Sequence, residues 1–278
     1  SITYLTRQTM NKTKLRLSLL LLLGSLALGS CSKSGGNEFT AEGTITDAAG
    51  KTLYLETTDT DEPQLIDSVT LDEKGRFRFR REAHSYPAFY RLRLGESFIP
   101  FAADSLTHLT LSASGKDLFS TYKIESGDEA NKQIREIGQL RTATDKAIEA
   151  ILTQLNNGTL DRGIALARID SLSTQLKNTL TSKYIFSDPK GAAAYYALFQ
   201  SYLGGTYFSI DHPGDDRAFA AVATAYDAFH PNAPYTPLLK QAALRSIAMA
   251  RARQREAHPD TTMTAAPVEV VAFPEIRL

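Results

Sequence analysis

One thiol, five imidazoles and a scatter of carboxylates carry whatever side-chain chemistry this 278-residue chain can do. The thiol is Cys31. A single cysteine cannot close an intramolecular disulfide, and it excludes a CxxC redox pair or a cysteine-built zinc site within these residues. The imidazoles are His84, His108, His212, His230 and His258. None pairs at the i, i+4 spacing with which a helix presents two histidines to a metal. There is no GxSxG elbow, no phosphate-binding P-loop and no GxGxxG turn. Asp59 and Asp61, in TTDTDEP, invite a calcium-loop reading. Such a loop needs glycine at its sixth position and glutamate at its twelfth, and counting from Asp59 those places hold Gln64 and Thr70. An ordinary polar turn is expected there. The densest polar cluster is Asp211-His212-Pro213-Gly214-Asp215-Asp216. A metal or acid–base role is conceivable, but a loop ending in a helix-capping aspartate accounts for it better. No catalytic residue, metal or cofactor is expected.

The neighbours of Cys31 decide its role, because a lone cysteine is ordinarily a small buried apolar residue. Met10 opens the stretch MNKTKLRLSLLLLLGSLALGSC. Lys12, Lys14 and Arg16 form a positive n-region, residues 17–28 a short apolar run, and Leu28-Gly29-Ser30 sets small residues just before Cys31. That is the layout of a bacterial secretory signal, and its apolar run falls short of the roughly 20 residues a membrane span takes. The stretch resembles a lipoprotein signal with a lipobox, Ser30 standing where Gly or Ala is commoner. The resemblance implies cleavage between Ser30 and Cys31 and a thioether from the Cys31 sulfur to diacylglycerol. Buried acyl chains contribute about 0.8 kcal/mol per CH₂, so several chains hold a protein stably on a membrane. Residues 1–9 read as an over-extended reading frame. Residues 32–37, SKSGGN, read as a flexible tether. The tether lacks the acidic cluster associated with surface export, which favours a periplasm-facing outer-membrane anchor.

Lys+Arg and Asp+Glu each number 31, so the formal net charge is zero. Nucleic-acid binding needs a strong basic field, so no nucleic-acid partner is expected. At 42% hydrophobic residues the chain has enough apolar material for a packed core.

Positioning elements begin at residue 38. In EFTAEGTITDAAGKTLYLE, Phe39, Ala41, Gly43 and Ile45 share one face and the threonines and Glu42 share the other. A turn at residues 47–50 precedes Leu53 and Leu55. Val69 and Leu71 lead to a Gly75 turn, after which Phe77 and Phe79 alternate with Arg76, Arg78 and Arg80. Further strands are expected at 89–94, 97–102, 106–112 and 121–124. Short, regularly spaced strands joined by Gly, Asp and Pro turns indicate an antiparallel β-sandwich or open barrel over residues 38–125. If their strands pair, Arg76, Arg78, Arg80, Arg91 and Arg93 form a basic stripe. It reads either as an anion-binding surface or, preferably, as the solvated face opposite the phenylalanines.

The period changes at Ser126. Ser126 with Glu129 suggests a capping box, and Ile134, Ile137, Ile148, Ile151 and Leu155 follow at helical spacing. After Asn156-Asn157-Gly158, a return helix carries Leu166, Ile169, Leu172, Leu176 and Leu180. Asp188-Pro189 is expected to open the next helix and Gly204-Gly205 to end it. A helix over 215–229 precedes Pro231, and a last one, begun by Thr236-Pro237, turns Leu238, Leu239, Ala242, Ala243 and Ile247 inward. The expected fold class is therefore α+β: the β-rich module, then a helical module of about four to five helices over residues 126–257. The aromatics Tyr195, Tyr196, Phe199, Tyr202, Tyr207 and Phe208 serve as core or line a sugar or peptide groove.

Taken in order, several segments resemble one family. They are Gly43-Thr44-Ile45, Gly50-Lys51-Thr52-Leu53-Tyr54-Leu55, Asp67-Ser68-Val69, Gly75-Arg76-Phe77-Arg78-Phe79, Ser126-Gly127-Asp128-Glu129-Ala130-Asn131, Asp188-Pro189, Ala194-Tyr195-Tyr196, Phe219-Ala220 and Phe273-Pro274-Glu275-Ile276-Arg277-Leu278. The family comprises Bacteroidota-type lipoproteins in which a small β-rich domain of unknown function precedes helices and a thioredoxin-like domain of the TlpA/ResA type. The resemblance implies thiol–disulfide exchange, in which a low-pKa thiolate of a CxxC pair attacks a disulfide. That pair would lie beyond Leu278, and a lipidated Cys31 is no nucleophile, so no catalytic residue carries over. Residues 258–278 are then a linker and the first strand of a thioredoxin-like domain absent from this chain. Two functions are expected to compete: a non-catalytic anchoring and accessory region of such an oxidoreductase, or a stand-alone envelope lipoprotein that binds a ligand or a periplasmic protein partner.

Overall fold

The computed structural model describes residues 37–59, 61–202 and 205–257. Ser30, Cys31 and the segment 258–278 lie outside the described residues, and with them the expectations of signal, anchor and closing strand.

Alternation builds the first half. In β1 (Glu38–Thr46) Phe39, Ala41 and Ile45 are buried, and in β4 (Arg76–Glu82) Phe77 and Phe79 are buried between exposed arginines. They share one core with inward residues of β2 (Thr52–Thr57), β5 (Ala88–Leu94), β6 (Ser97–Ala103) and β7 (His108–Ser114). Each large apolar side chain so buried contributes about 1.5–3 kcal/mol. With β3 (Gln64–Thr70) and β8 (Lys123–Ile124) the strands make two four-stranded sheets, ordered β4-β1-β7-β8 and β3-β2-β5-β6. The sheets face each other: the Phe39 ring lies 4.8 Å from Tyr90 and 6.2 Å from Phe101 of the opposite sheet.

The sequence leads one to expect an antiparallel sandwich, and the sheets are antiparallel in every pairing of these strands but one. β1 runs parallel to β7, with Thr40 opposite His108 and Thr46 opposite Ser114. Alternation identifies each strand's buried face but not a partner far along the chain, and β2 to β6 serve as the long crossover a parallel pair requires. Gly43 permits the approach. Its φ is +157°, and a Cβ there would sit 1.8 Å from the Leu111 carbonyl oxygen. The strand expected at 121–124 is present as the short β8, Lys123–Ile124, which follows a one-turn helix, α1 (Leu118–Thr121). Asp117 caps it by accepting from the Ser120 N–H at 3.2 Å. Leu106 does not begin a strand. It is 84% exposed in a turn where Asp104 accepts its N–H.

Five helices follow Ser126 among the described residues, so the chain is α+β as expected. The cap of α2 (Glu129–Asn156) is Asp128, which accepts from the Asn131 N–H, while Ser126 accepts from the Thr110 N–H of the sheet. Ile134, Ile137 and Ile148 are buried. Asp161 caps α3 (Arg162–Leu180), whose Leu176 and Leu180 point inward while Leu166 is exposed. A single π-helical turn, Thr181–Ile185, extends α3 and buries Tyr184 and Ile185. Asp188-Pro189 forms a turn rather than a helix start. α4 (Ala192–Leu198) begins after Gly191, ends before the glycine pair, and is followed by the hairpin β9 (Ser201–Tyr202) and β10 (Gly205–Thr206). α5 (Asp216–Phe229) and α6 (Thr236–Ala257) close the layer, with Leu239 and Ala243 buried but Leu238 67% exposed.

Two polar staples fasten helices to sandwich. Asn131 of α2 accepts from the Ala102 N–H and donates to the Ala102 carbonyl, both at 2.8 Å, and so continues the edge of β6 as a strand residue would. Tyr235 donates its hydroxyl to the Pro87 carbonyl at the start of β5. Around these staples Phe89 and Ala102 enter the apolar core of the helical layer.

Candidate functional site

The four described histidines are dispersed. His84 stacks on Tyr86 at 4.8 Å, His108 Nδ1 lies 3.0 Å from Thr40 Oγ1, and His230 Nε2 lies 2.9 Å from the Lys190 carbonyl. His212 edges a buried ion pair. Its partner Asp215, instead of capping α5, holds Lys177 Nζ at 2.6 Å and accepts from the Ser209 N–H at 2.9 Å. This pair pins the loop before α5 to α3. Among the described residues no group of three or more acidic, His or Cys side chains is placed to hold a metal.

The arginine stripe does not form, because β4 and β5 lie in different sheets. Arg76, Arg78 and Arg80 pair with Asp72, Glu42 and Glu38 on the solvated face. Arg91 and Arg93 converge on Glu56 of β2, at 2.5 and 2.8 Å. Burial alone would raise the Glu56 carboxyl, but the two guanidiniums hold it below the ordinary glutamate value.

What sandwich and helices do build together is an aromatic cleft. A cavity of about 340 Å³ is lined by Asp59, Phe89, Tyr90, Tyr195, Phe199 and Tyr235, among others. It adjoins a groove of about 600 Å³, and Thr58, Tyr90, Pro100, Tyr196, Phe199 and Gln200 line both. Tyr195 is the hub. Its ring lies 5.0 Å from Phe89, 4.6 Å from Tyr235 and 4.7 Å from Phe199. These rings are brought together because α4 is built from alanines on its buried side, which lets its aromatics approach β5.

The cleft's acid is Asp59, in the loop after β2. It accepts from the Phe89 N–H at 3.1 Å. Burial pushes its carboxyl up to about 6, and that hydrogen bond and the nearby His84 offset the rise only in part. Burial also raises the Tyr90 and Tyr195 phenols to about 12, and the Asp59 charge adds to the rise in both. The Asp59 charge also adds to the raised phenol values of Tyr86, Tyr226 and Tyr235, so five tyrosines surround one carboxylate. Among the described residues no Lys or Arg forms an ion pair with Asp59, and the one nearby side chain whose charge lowers its carboxyl is His84. The adjoining groove's Arg91 and Arg141 are already taken by Glu56 and Asp145. Aromatic rings and the carboxylates of Asp59 and Asp61 equip the cleft to hold a ligand.

Comparison with protein-family models, with curated proteins and with solved structures gives no match for this chain.

The six aromatics singled out in the sequence divide. Tyr195, Tyr196 and Phe199 line the cleft. Tyr207 donates to Asp145 at 2.6 Å, Phe208 is buried in the helical core with Lys177 over its ring, and the buried Tyr202 hydroxyl has no partner among the described residues. Sequence reasoning missed Asp59, which it placed in a plain turn, and the sandwich half of the wall, Phe89 and Tyr90. A signal existed: residues 89 and 90 are adjacent aromatics in a strand, so one of them must face away from the sandwich core.

Proposed function

We propose that this chain is the non-catalytic anchoring and accessory region of a periplasm-facing envelope lipoprotein whose thioredoxin-like thiol–disulfide oxidoreductase domain begins near residue 268. The start of β1 at Glu38 carries the reading. Only six residues, 32–37, separate Cys31 from the folded body, a reach of at most roughly 20 Å. Lipid on Cys31 therefore holds the sandwich at the membrane surface. Cys31 is the lipidated residue, cleavage falls after Ser30, and the membrane is the first partner.

The test is expression in a Gram-negative host with labelled palmitate. Label and membrane fractionation are expected for the natural sequence, and loss of both for Cys31→Ser. A soluble, unlabelled natural protein would contradict the anchor. A second reading, a stand-alone envelope lipoprotein that binds a ligand or protein partner, draws support from the aromatic cleft. A stop codon directly after codon 278 would favour it.

A further inference from the structure

We infer that the cleft between α4 and β5 is a binding site for a small organic ammonium ion, held by the Asp59 carboxylate and the lining rings of Phe89, Tyr195, Phe199 and Tyr235. This deepens the binding role drawn from the cleft and is independent of the lipid anchor.

The geometry points to a cation in three ways. The cavity, at about 340 Å³, is the size of a site for one small molecule. Its walls are aromatic, and ring faces attract ammonium groups most strongly where water is excluded. No Lys or Arg pairs with Asp59 among the described side chains, whereas Glu56, a buried acid of the preceding strand β2, has two guanidiniums. With its carboxyl near 6, Asp59 is ionised at neutral pH, so the cleft carries an unbalanced negative charge. A neutral sugar or an apolar ligand would leave that charge unbalanced, and an anion would meet repulsion. Alkylated ammonium suits the site better than a bare metal ion, which needs several oxygen ligands, because beside the carboxylates of Asp59 and Asp61 the cleft is lined mostly by aromatic and aliphatic side chains, and no group of three acidic, His or Cys side chains gathers among the described residues.

The groups facing Asp59 set the pH behaviour. They are His84 from the segment after β4, Asp61 on its own loop, and the phenols of Tyr86, Tyr90, Tyr195, Tyr226 and Tyr235. The phenols stay neutral well above physiological pH. Asp59 is thus the acid whose ionisation creates the site, and affinity should rise roughly tenfold from pH 5 to pH 7.

The experiment is titration calorimetry of the full chain in detergent, using choline and butylamine as probes. The neutral carbon isostere of choline, 3,3-dimethylbutanol, and an acetylated lysine-bearing peptide are the comparators. Both ammonium probes should bind, with the isostere at least about tenfold weaker. Asp59→Asn should lose at least about tenfold in affinity for choline. Tyr195→Phe, which keeps the ring face, should retain binding, and Tyr195→Leu should lose it. Circular dichroism melts check that each variant is folded, and Asp59→Asn, which removes a desolvated charge, is the variant least open to failure by misfolding. Absence of binding by both choline and butylamine, equal binding of the isostere, or unchanged choline affinity in Asp59→Asn would overturn the inference. So would tighter binding of the lysine peptide than of either probe, which would make the occupant a protein. Since no membrane or redox partner is present, a negative result leaves the anchoring proposal standing. Loss of palmitate labelling likewise leaves this one untouched.

Discussion

Two neighbouring desolvated carboxylates, Glu56 in β2 and Asp59 in the loop that follows, reach opposite states, and the difference lies in their partners. Glu56 is held below its ordinary value because Arg91 and Arg93 overcome the cost of burial, whereas Asp59 rises to about 6 with only the Phe89 amide and the His84 imidazole to oppose it. Asp59 therefore has a higher affinity for its proton in the folded state than in the unfolded chain, where a carboxyl titrates near about 3.9. Its contribution to stability is fully present below the unfolded value and is lost as pH rises through 6. Asp59→Asn should thus melt like the natural protein at about pH 3.5 and be the more stable by about 1–2 kcal/mol at pH 7, solvent screening included. Denaturant titrations at the two pH values test this. A variant equally destabilised at both would show that Asp59 is structural. The buried pair of Lys177 and Asp215 predicts the reverse. Asp215→Ala leaves the Lys177 ammonium and the Ser209 amide without partners and should cost about 3–5 kcal/mol at neutral pH, read as a lowered denaturation midpoint.

At the scale of elements, strand faces were legible and strand partners were not. Phe39, Ala41, Ile45, Phe77 and Phe79 reveal a buried face because a strand with one solvated side must alternate. Nothing local tells β1 that its second neighbour is β7, because that pairing follows from how the intervening strands close the sandwich. Gly43 is the local trace of it, and Gly43→Ala should cost about 3 kcal/mol or more, since the new methyl meets the Leu111 carbonyl. Gly50→Ala, where φ is +75° but nothing lies within 4 Å, should cost only about 1 kcal/mol. Comparing the two midpoints separates close approach from backbone strain. Helix caps failed for a related reason. Ser126 and Asp128 both offer a capping oxygen, and the sheet claims Ser126 through the Thr110 amide. Asp59 was illegible because its burial is imposed by aromatics of α4 and by Tyr235, elements far along the chain. The joint those elements make is testable at Asn131. Asn131→Ala should cost about 2–4 kcal/mol by orphaning both Ala102 backbone groups. Asn131→Asp should also destabilise, because a carboxylate cannot donate to the Ala102 carbonyl.

For the whole molecule, sandwich and helices form one compact body whose joint carries the cleft, fastened through Asn131 and Tyr235. In the proposed arrangement a lipid at Cys31 tethers the chain just before β1, and residues 258–278 follow α6 in the sequence. A thioredoxin-like domain attached there would work at a membrane surface beside a ligand-holding cleft, with its thiol chemistry set by its own cysteines and not by this chain. The central claim is that this region serves such a domain, and the most direct test is the message itself, sequenced past codon 278 in the source organism. The account predicts an open frame that encodes a WCxxC-type pair within the next stretch of sequence. A stop codon immediately after Leu278, in a message intact at its 3′ end, would contradict it.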